Sequence, residues 1–268
     1  MRIMTDQPSR AMRASSFGTA AGLYERGRPP YPPEALDWLL PAGARRIVDL
    51  GAGTGKLTRQ LAARGLDVVA VEPTDGMRAE LTRVLPGVPA LAGSAEQIPL
   101  DDGAVDVVLA AQAWHWVDPA QAVPEVARVL APGGTLGLVW NERDERVDWV
   151  AELGRIIGET RGQDEGAGAA NTSDHPRVGP PFTPLERHEV SWVHQLSVPE
   201  LLDMVASRSY IILLPDAERT AVLDRVRQLT QTHPALAGRP DIILPYRTLC
   251  WRCRLACRGQ LPEPARYE

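Results

Sequence analysis

The chain has 268 residues, of which 44% are hydrophobic and 24% charged, and a formal net charge of −5; this is an ordinary composition for a globular protein with a sizeable core. The acidic balance argues against a nucleic-acid surface, whose usual footprint is a basic stripe, and the arginines of 252–258 are few and interleaved with apolar residues. No apolar run approaches the roughly 20 residues that span a bilayer, and the opening MRIMTDQPSR has no apolar stretch behind its charges, so neither a membrane anchor nor a secretory signal is expected and the expected compartment is the cytoplasm.

In chain order, residues 1–15 are polar and read as a loose end. Residues 16–45 read as a helical cap, in which FGTAAGLYERG forms a short helix stopped by RPPYPP. Pro33 then opens a second helix with Leu36, Leu39 and Leu40 on one face. Over 46–140 strand and helix alternate. RIVDL is a strand ending at Gly51, and 55–64 a helix with Leu57 and Leu61 on one face, closed by Gly65. DVVAVEP is the second strand. Asp75 is placed to cap a helix carrying Met77, Leu81, Val84 and Leu85 that stops at Pro86. ALAGSA and AVDVVLAAQ read as strands three and four. DPAQAVPEVARVL reads as a helix capped by Asp118, with Pro124 marking an alternative start, and APGG as a turn into a fifth strand, TLGLVW.

Residues 141–268 complete the sheet and add helices that form the substrate pocket. Residues 159–184 are rich in Gly, Pro and polar side chains and read as a loop. HEVSWVHQL is a strand, and Ser197 and Glu200 form a capping box before the apolar face of Leu201, Leu202 and Val205. A helix over 216–231 and a last strand, DIILPYRTLCWRC, close the chain. The expected architecture is α/β, with five parallel strands, helices on both faces and a returning pair. The three cysteines, Cys250, Cys253 and Cys257, have a spacing that three metal ligands could share. The fourth cysteine is missing and Cys250 and Cys253 fall in a strand, so buried thiols are the expected reading and no metal is assigned.

The segment that bears on a cofactor is VDLGAGTGK, residues 48–56. A dinucleotide fingerprint needs a third glycine where Lys56 stands. A phosphate loop needs glycine at Leu50 and Ser or Thr at Leu57. What remains is G-x-G-x-G preceded by Asp49, or a tight strand-to-helix turn that holds no ligand. Glu72 ends the second strand 21 residues after Gly51, where a carboxylate can accept from both hydroxyls of a ribose; nicotinamide enzymes share that position. The segment alone therefore leaves a nicotinamide-dependent oxidoreductase and a non-catalytic binding protein as alternatives.

Several landmarks occur in one order: YERGRPPYP, GAGTGK, VEPTDGM, AGSAEQIPL, AAQAWHWVD, RVLAPGG and LPYRT. On these, the stretch from Phe17 to about Arg254 resembles the type 11 methyltransferase group of the class I S-adenosylmethionine-dependent methyltransferases, including relatives of trans-aconitate methyltransferase. The resemblance implies a Rossmann-like, mostly parallel seven-stranded sheet with an antiparallel terminal strand, S-adenosyl-L-methionine as cofactor and a small-molecule methyl acceptor. It implies that Asp49, Gly51, Ala52 and Gly53 form the turn along the methionine part, that Glu72, beside Pro73, holds the ribose, and that Met77 packs near the adenine. Ser94 and Ala95 would lie against that ring, with the Ala95 N–H donating to it, although Asp often stands where this chain has Ser94. Ala110 and Gln112 would face the methionine, while Tyr24 and Arg28 would close over the site, Arg28 toward the carboxylate. His115 is the nearest candidate base, with an aromatic-packed histidine as the blander reading. Trp114, Trp116, Arg208 and Tyr210 are candidates for the acceptor pocket, Arg208 for a carboxylate. The Asn/Asp-Pro-Pro-aromatic signature of enzymes that methylate amino groups of nucleic acids is absent after strand four, which disfavours DNA bases.

Overall fold

In this computed structural model residues 29–158 and 173–256 are described. The expected first helix with Tyr24 and Arg28, and Cys257 near the end, lie outside the described residues. The elements are α1 (Pro33–Leu39), β1 (Arg46–Leu50), α2 (Lys56–Ala62), β2 (Asp67–Val71), α3 (Asp75–Val84), β3 (Ala90–Leu91), β4 (Val105–Ala111), a 3-10 turn (Trp114–Trp116), α4 (Pro119–Val129), β5 (Leu130–Arg143), α5 (Asp148–Gly158), β6 (Glu186–Ser197), α6 (Val198–Ala206), α7 (Ser209–Ile212), α8 (Asp216–Thr232) and β7 (Asp241–Arg254). They build one seven-stranded sheet in the order β3-β2-β1-β4-β5-β7-β6.

β1 through β5 pair in parallel, and β7 runs antiparallel to both β5 and β6. β6 therefore points the same way as β1–β5. In place of a returning pair, one antiparallel strand is inserted beside β5. Alternation along the strands splits the core. Ile47, Val107, Leu109 and Val139 pack with α1 and α2 on one face, while Val48, Leu50, Val108 and Ala110 pack with α4 on the other, as the two-residue period of a strand requires. A third cluster joins α5, α6 and α8 to Leu196, Ile242, Leu244 and Tyr246 at the β6–β7 end.

Three local expectations need correction, and one choice between two starts is settled. β3 is only Ala90–Leu91, because Ser94 and Gln97 turn back on one another through two backbone bonds of 3.1 and 3.2 Å. The residue before α3 is Thr74, and Asp75 is the first helical residue, where its charge suits the helix N-terminus. α4 starts at its expected Asp118 cap and not at the alternative Pro124, which lies inside it: the proline forgoes one helical bond while Val123, Val126 and Val129 stay buried. APGG is a bulge inside β5, since Val105 pairs with Leu130 but Val107 with Thr135. α5 was not anticipated, although Trp149, Val150, Leu153, Ile156 and Ile157 form a helical apolar face. The capping box at Ser197 and Glu200 is present. No helix among the described residues is long and apolar enough to cross a membrane.

Cys250 and Cys253 are both buried in β7, but Cys250 packs with the α1–α2 face and Cys253 with the α4 face. Three residues apart on a strand, they point to opposite sides of the sheet, so they do not share a ligand. Burial pushes each thiol up to about 12, as expected of inert core cysteines.

Candidate active site

A hollow opens at the C-terminal ends of β1, β4 and β5 and beside the N-terminal half of the antiparallel β7, where the strand order changes direction between β1 and β4. Ligands of doubly wound sheets characteristically sit at such a point. Its floor is the turn after β1. Gly51 and Gly53 adopt φ of +71° and +57°, the left-handed region that side chains disfavour. A Cβ on Gly51 would also come within 2.7 Å of the Ala113 Cβ. The N–H groups of Gly51 and Ala52 both donate to the Val71 carbonyl, at 2.8 and 3.1 Å, so the turn hangs on the end of β2.

Two carboxylates flank this turn. Glu72, next after β2, is buried, and Oε2 accepts from the Gly53 N–H at 2.9 Å while Oε1 accepts from the Thr74 N–H at 2.9 Å. An ionised carboxylate offers about four acceptor positions, so two remain for a ligand. Asp49, on β1, is fully buried. Its Oδ2 accepts from the Thr58 hydroxyl of α2 at 2.6 Å, and Oδ1 has no hydrogen-bond partner among the described residues although Asp49 lines the hollow. Burial pushes this carboxyl up to about 7 against the lowering pull of the Thr58 bonds, and the nearby Glu72 charge adds to the rise.

On the far side stand Ala111, Gln112, Asn141, Tyr246 and Arg208. Gln112 has φ +55°, the one non-glycine residue with positive φ among the described residues, a strain of the kind that collects at functional sites. Its N–H donates to the Val139 carbonyl at 2.9 Å and its Nε2 to the Asn141 carbonyl at 2.8 Å. Asn141 is oriented by a chain of bonds. The Trp192 indole donates to the Thr248 hydroxyl at 2.8 Å, that hydroxyl to Asn141 Oδ1 at 2.6 Å, and Asn141 Nδ2 to the Pro30 carbonyl at 3.0 Å. Pro29 and Tyr31 complete the lining, held to α2 by paired backbone bonds between Tyr31 and the Gln60 amide.

Among the residues singled out from the sequence, Asp49, Gly51, Ala52, Gly53, Gln112 and Arg208 line this hollow, and Glu72 bonds directly to its floor. Ala110 instead faces the core and Ala111 the hollow, one step along the strand alternation. Met77 and Ala95 are buried, Pro73 is exposed, and Ser94 closes the turn with Gln97. Trp114, expected in the acceptor pocket, is a fully buried core residue whose indole donates to the Arg177 carbonyl at 3.1 Å. His115 lies outside the lining. Its Nδ1 accepts from the Trp140 indole at 3.2 Å, and its ring leans on the half-exposed Trp116. Tyr210 falls in α7, and its side chain is outside the description. Asn141 and Tyr246 were missed. A polar Asn at the end of an apolar parallel strand is the same signal that marks Glu72, and it was open to the same reading.

A switch-point hollow, a turn with two left-handed glycines and an acid at the next strand end define the class as a Rossmann-like α/β protein. The family profile described as "Methyltransferase domain" matches residues 48–138. An uncharacterized methyltransferase of Mycobacterium tuberculosis is 60% identical over 248 residues, spanning 92% of this chain and 99% of that relative. A solved chain from Anaeromyxobacter dehalogenans, described as a candidate type II methyltransferase, superposes with a TM-score of 0.65 at 24% identity, covering 85% of this chain and 97% of that one. Phospholethanolamine N-methyltransferase 2 of Haemonchus contortus, solved with phosphomonomethylethanolamine and S-adenosylhomocysteine, superposes with a TM-score of 0.52 at 14% identity over 94% of this chain and 61% of that one. The chain belongs to the methyltransferase family.

Gly51→Ala is expected to lower the free energy of unfolding by roughly 1–3 kcal/mol, from left-handed strain and the close approach of Ala113. Urea denaturation measures it, and an unchanged midpoint would show that the turn is not tight at this residue.

Proposed function

We propose that this protein is an S-adenosylmethionine-dependent methyltransferase that transfers a methyl group to a small-molecule acceptor by in-line displacement. The observation that carries the reading is the pairing of a Cβ-free turn with two buried acids that keep unused acceptor capacity, Glu72 beside it and Asp49 beneath it. Family membership supports it, as does a fold shared with a protein solved with S-adenosylhomocysteine.

When bound, the cofactor supplies an electrophilic methyl group on a cationic sulfur. In this reading Glu72 accepts hydrogen bonds from the ribose hydroxyls with its two remaining positions. The Asp49 oxygen pairs with the ammonium of the methionine part, and the bare Gly51–Gly53 backbone lets that part lie close. Beyond Ser94, the Ala95 N–H takes no part in the turn's own two bonds and is the donor to the adenine, with Met77 packed behind. By the resemblance Tyr24 and Arg28 would also hold the cofactor, and Ala111 and Gln112 at the end of β4 face the sulfonium. Gln112, locked to Asn141, sets the direction from which the acceptor approaches, and alignment with exclusion of water supplies most of the acceleration. His115, whose Nδ1 accepts from the Trp140 indole, shapes the loop. Trp116 and Tyr210 remain candidates for contacts at the rim.

Glu72→Ala is expected to weaken S-adenosylhomocysteine binding by about 1–3 kcal/mol, measured by calorimetry, through two ribose hydroxyls left without an acceptor. Unchanged affinity would remove Glu72 from the site. Asp49 gives a pH signature. Its carboxyl titrates at about 7 in the ligand-free protein, so below that pH it is protonated and offers no charge. An ammonium pairs with the ionised form and expels the proton, so affinity should rise by about tenfold per pH unit up to pH 7 and level off above it. Asp49→Asn should flatten the profile; a wild-type profile that is already flat between pH 5.5 and 8 contradicts the pairing.

A further inference from the structure

The structure holds a second buried charge that the cofactor reading leaves unused. Arg143, the last residue of β5, has a side chain only 11% exposed. Its Nε and Nη1 are closed to solvent without a hydrogen-bond partner among the described residues, and its Nη2 lies 3.6 Å from the half-exposed Glu145 carboxylate. A guanidinium taken out of water without acceptors for its donors is destabilising, and proteins keep such a group where a partner arrives later or a function requires it.

The position of Arg143 indicates the partner. It follows Asn141 by two residues on β5, so both point to the same side of the sheet, and it pairs in register with Tyr246 of β7. Asn141 and Tyr246 both line the hollow, and Arg208 enters the same lining from the end of α6. The sheet order puts the cofactor residues over β2 and β1, Gln112 at the end of β4, and Arg143 with Tyr246 over β5 and β7. Neighbouring strands lie about 4.8 Å apart, so the Arg143 region is roughly 5–10 Å past the strand that faces the transferable methyl. That is the length of a small acceptor molecule. Among the residues that line the hollow, Asp49 is the one carboxylate and sits at the cofactor end, while Lys56 and Arg208 are cationic. The cofactor is itself a cation at sulfur. An acceptor with an anionic group would supply the acceptors that the Arg143 Nε and Nη1 lack among the described residues.

Resting on the methyl-transfer reading, we propose that the acceptor carries an anionic oxygen group, a carboxylate or a phosphate, that Arg143 binds together with Arg208 at the β5–β7 end of the hollow, while another atom of the same molecule is presented at Gln112. Arg143 is then a specificity residue for the acceptor and takes no part in holding the cofactor.

The test uses the full chain loaded with S-adenosylhomocysteine and calorimetric titration with benzoate, glutarate and phenyl phosphate, beside the uncharged benzamide and glutaramide. The acids are expected to bind at least tenfold more tightly than the amides, and the ranking of benzoate against phenyl phosphate identifies the group preferred. Arg143→Met should cut acid binding at least tenfold, leave S-adenosylhomocysteine affinity unchanged, and leave the unfolding temperature equal or higher, because an apolar chain of similar length replaces an uncompensated buried charge. Arg143→Lys should restore part of the acid binding. Acids that bind no better than amides overturn the proposal, as does acid binding unaffected in Arg143→Met. Loss of S-adenosylhomocysteine binding in Arg143→Met also overturns it, by assigning the guanidinium to the cofactor. Failure of the wild-type protein to bind S-adenosylhomocysteine is a separate result that removes the methyl-transfer reading itself.

Discussion

The hydrogen bond from the Gly53 N–H to Glu72 joins the ends of β1 and β2 across the turn, and the geometry of the site follows from it. With Gly51 and Ala52 already bonded to the Val71 carbonyl, three successive N–H groups of the turn are committed to the neighbouring strand. The backbone is thus pulled toward β2 and away from β4, which leaves the hollow open on the β4 side. A side chain at Gly51 would refill that space, since its Cβ would meet Ala113. The same carboxylate that fixes the turn therefore stands ready beside the ligand position, with half of its acceptor capacity unspent.

Holding an acid under such a turn has an electrostatic consequence. Asp49 is buried by the α1–α2 face of the sheet and satisfied on one oxygen only. Its carboxyl is destabilised as an anion until a cation arrives. On β5, two residues beyond Asn141 of the lining, Arg143 is in the mirror situation, a buried cation with two donors unmet among the described residues. The two lie on different strands, Asp49 on β1 and Arg143 on β5 with β4 between them, so they do not neutralise one another. An unsatisfied acid in the hollow and unsatisfied guanidinium donors on the strand beyond it make the region polar in a definite direction. It suits a cationic cofactor group on one side and an acidic acceptor on the other.

Much of the fold was legible because its signals are local. Apolar runs ending at Gly51 and Glu72, the Asp118 cap and the Ser197–Glu200 box each depend on a few adjacent residues, and the structure has all of them. The cofactor end was legible for the same reason, since a glycine turn and an acid at a strand end are features of sequence spacing. What stayed hidden depends on which strands become neighbours. The insertion of β7 between β5 and β6 brings Tyr246 beside Arg143 and Thr248 beside Asn141, pairs more than 100 residues apart in sequence. Local reading also misjudged Trp114 and Ala110, because a strand exit can present either face and only the packing of α4 decides that both point inward. Of the two starts open for α4, the Asp118 cap is the one used and Pro124 is carried inside the helix, because burial of one helix face outweighs a single missing hydrogen bond.

The account turns on an adenosylated amino acid lying along the Gly51–Gly53 turn, and a crystal structure of the protein with S-adenosylhomocysteine tests it most directly. The predicted result is a ribose whose hydroxyls lie within hydrogen-bond distance of Glu72, a methionine ammonium against the free Asp49 oxygen, and a sulfur that faces the Gln112 side. A nucleoside bound elsewhere, or a turn whose backbone stays more than van der Waals distance from the ligand, would contradict it.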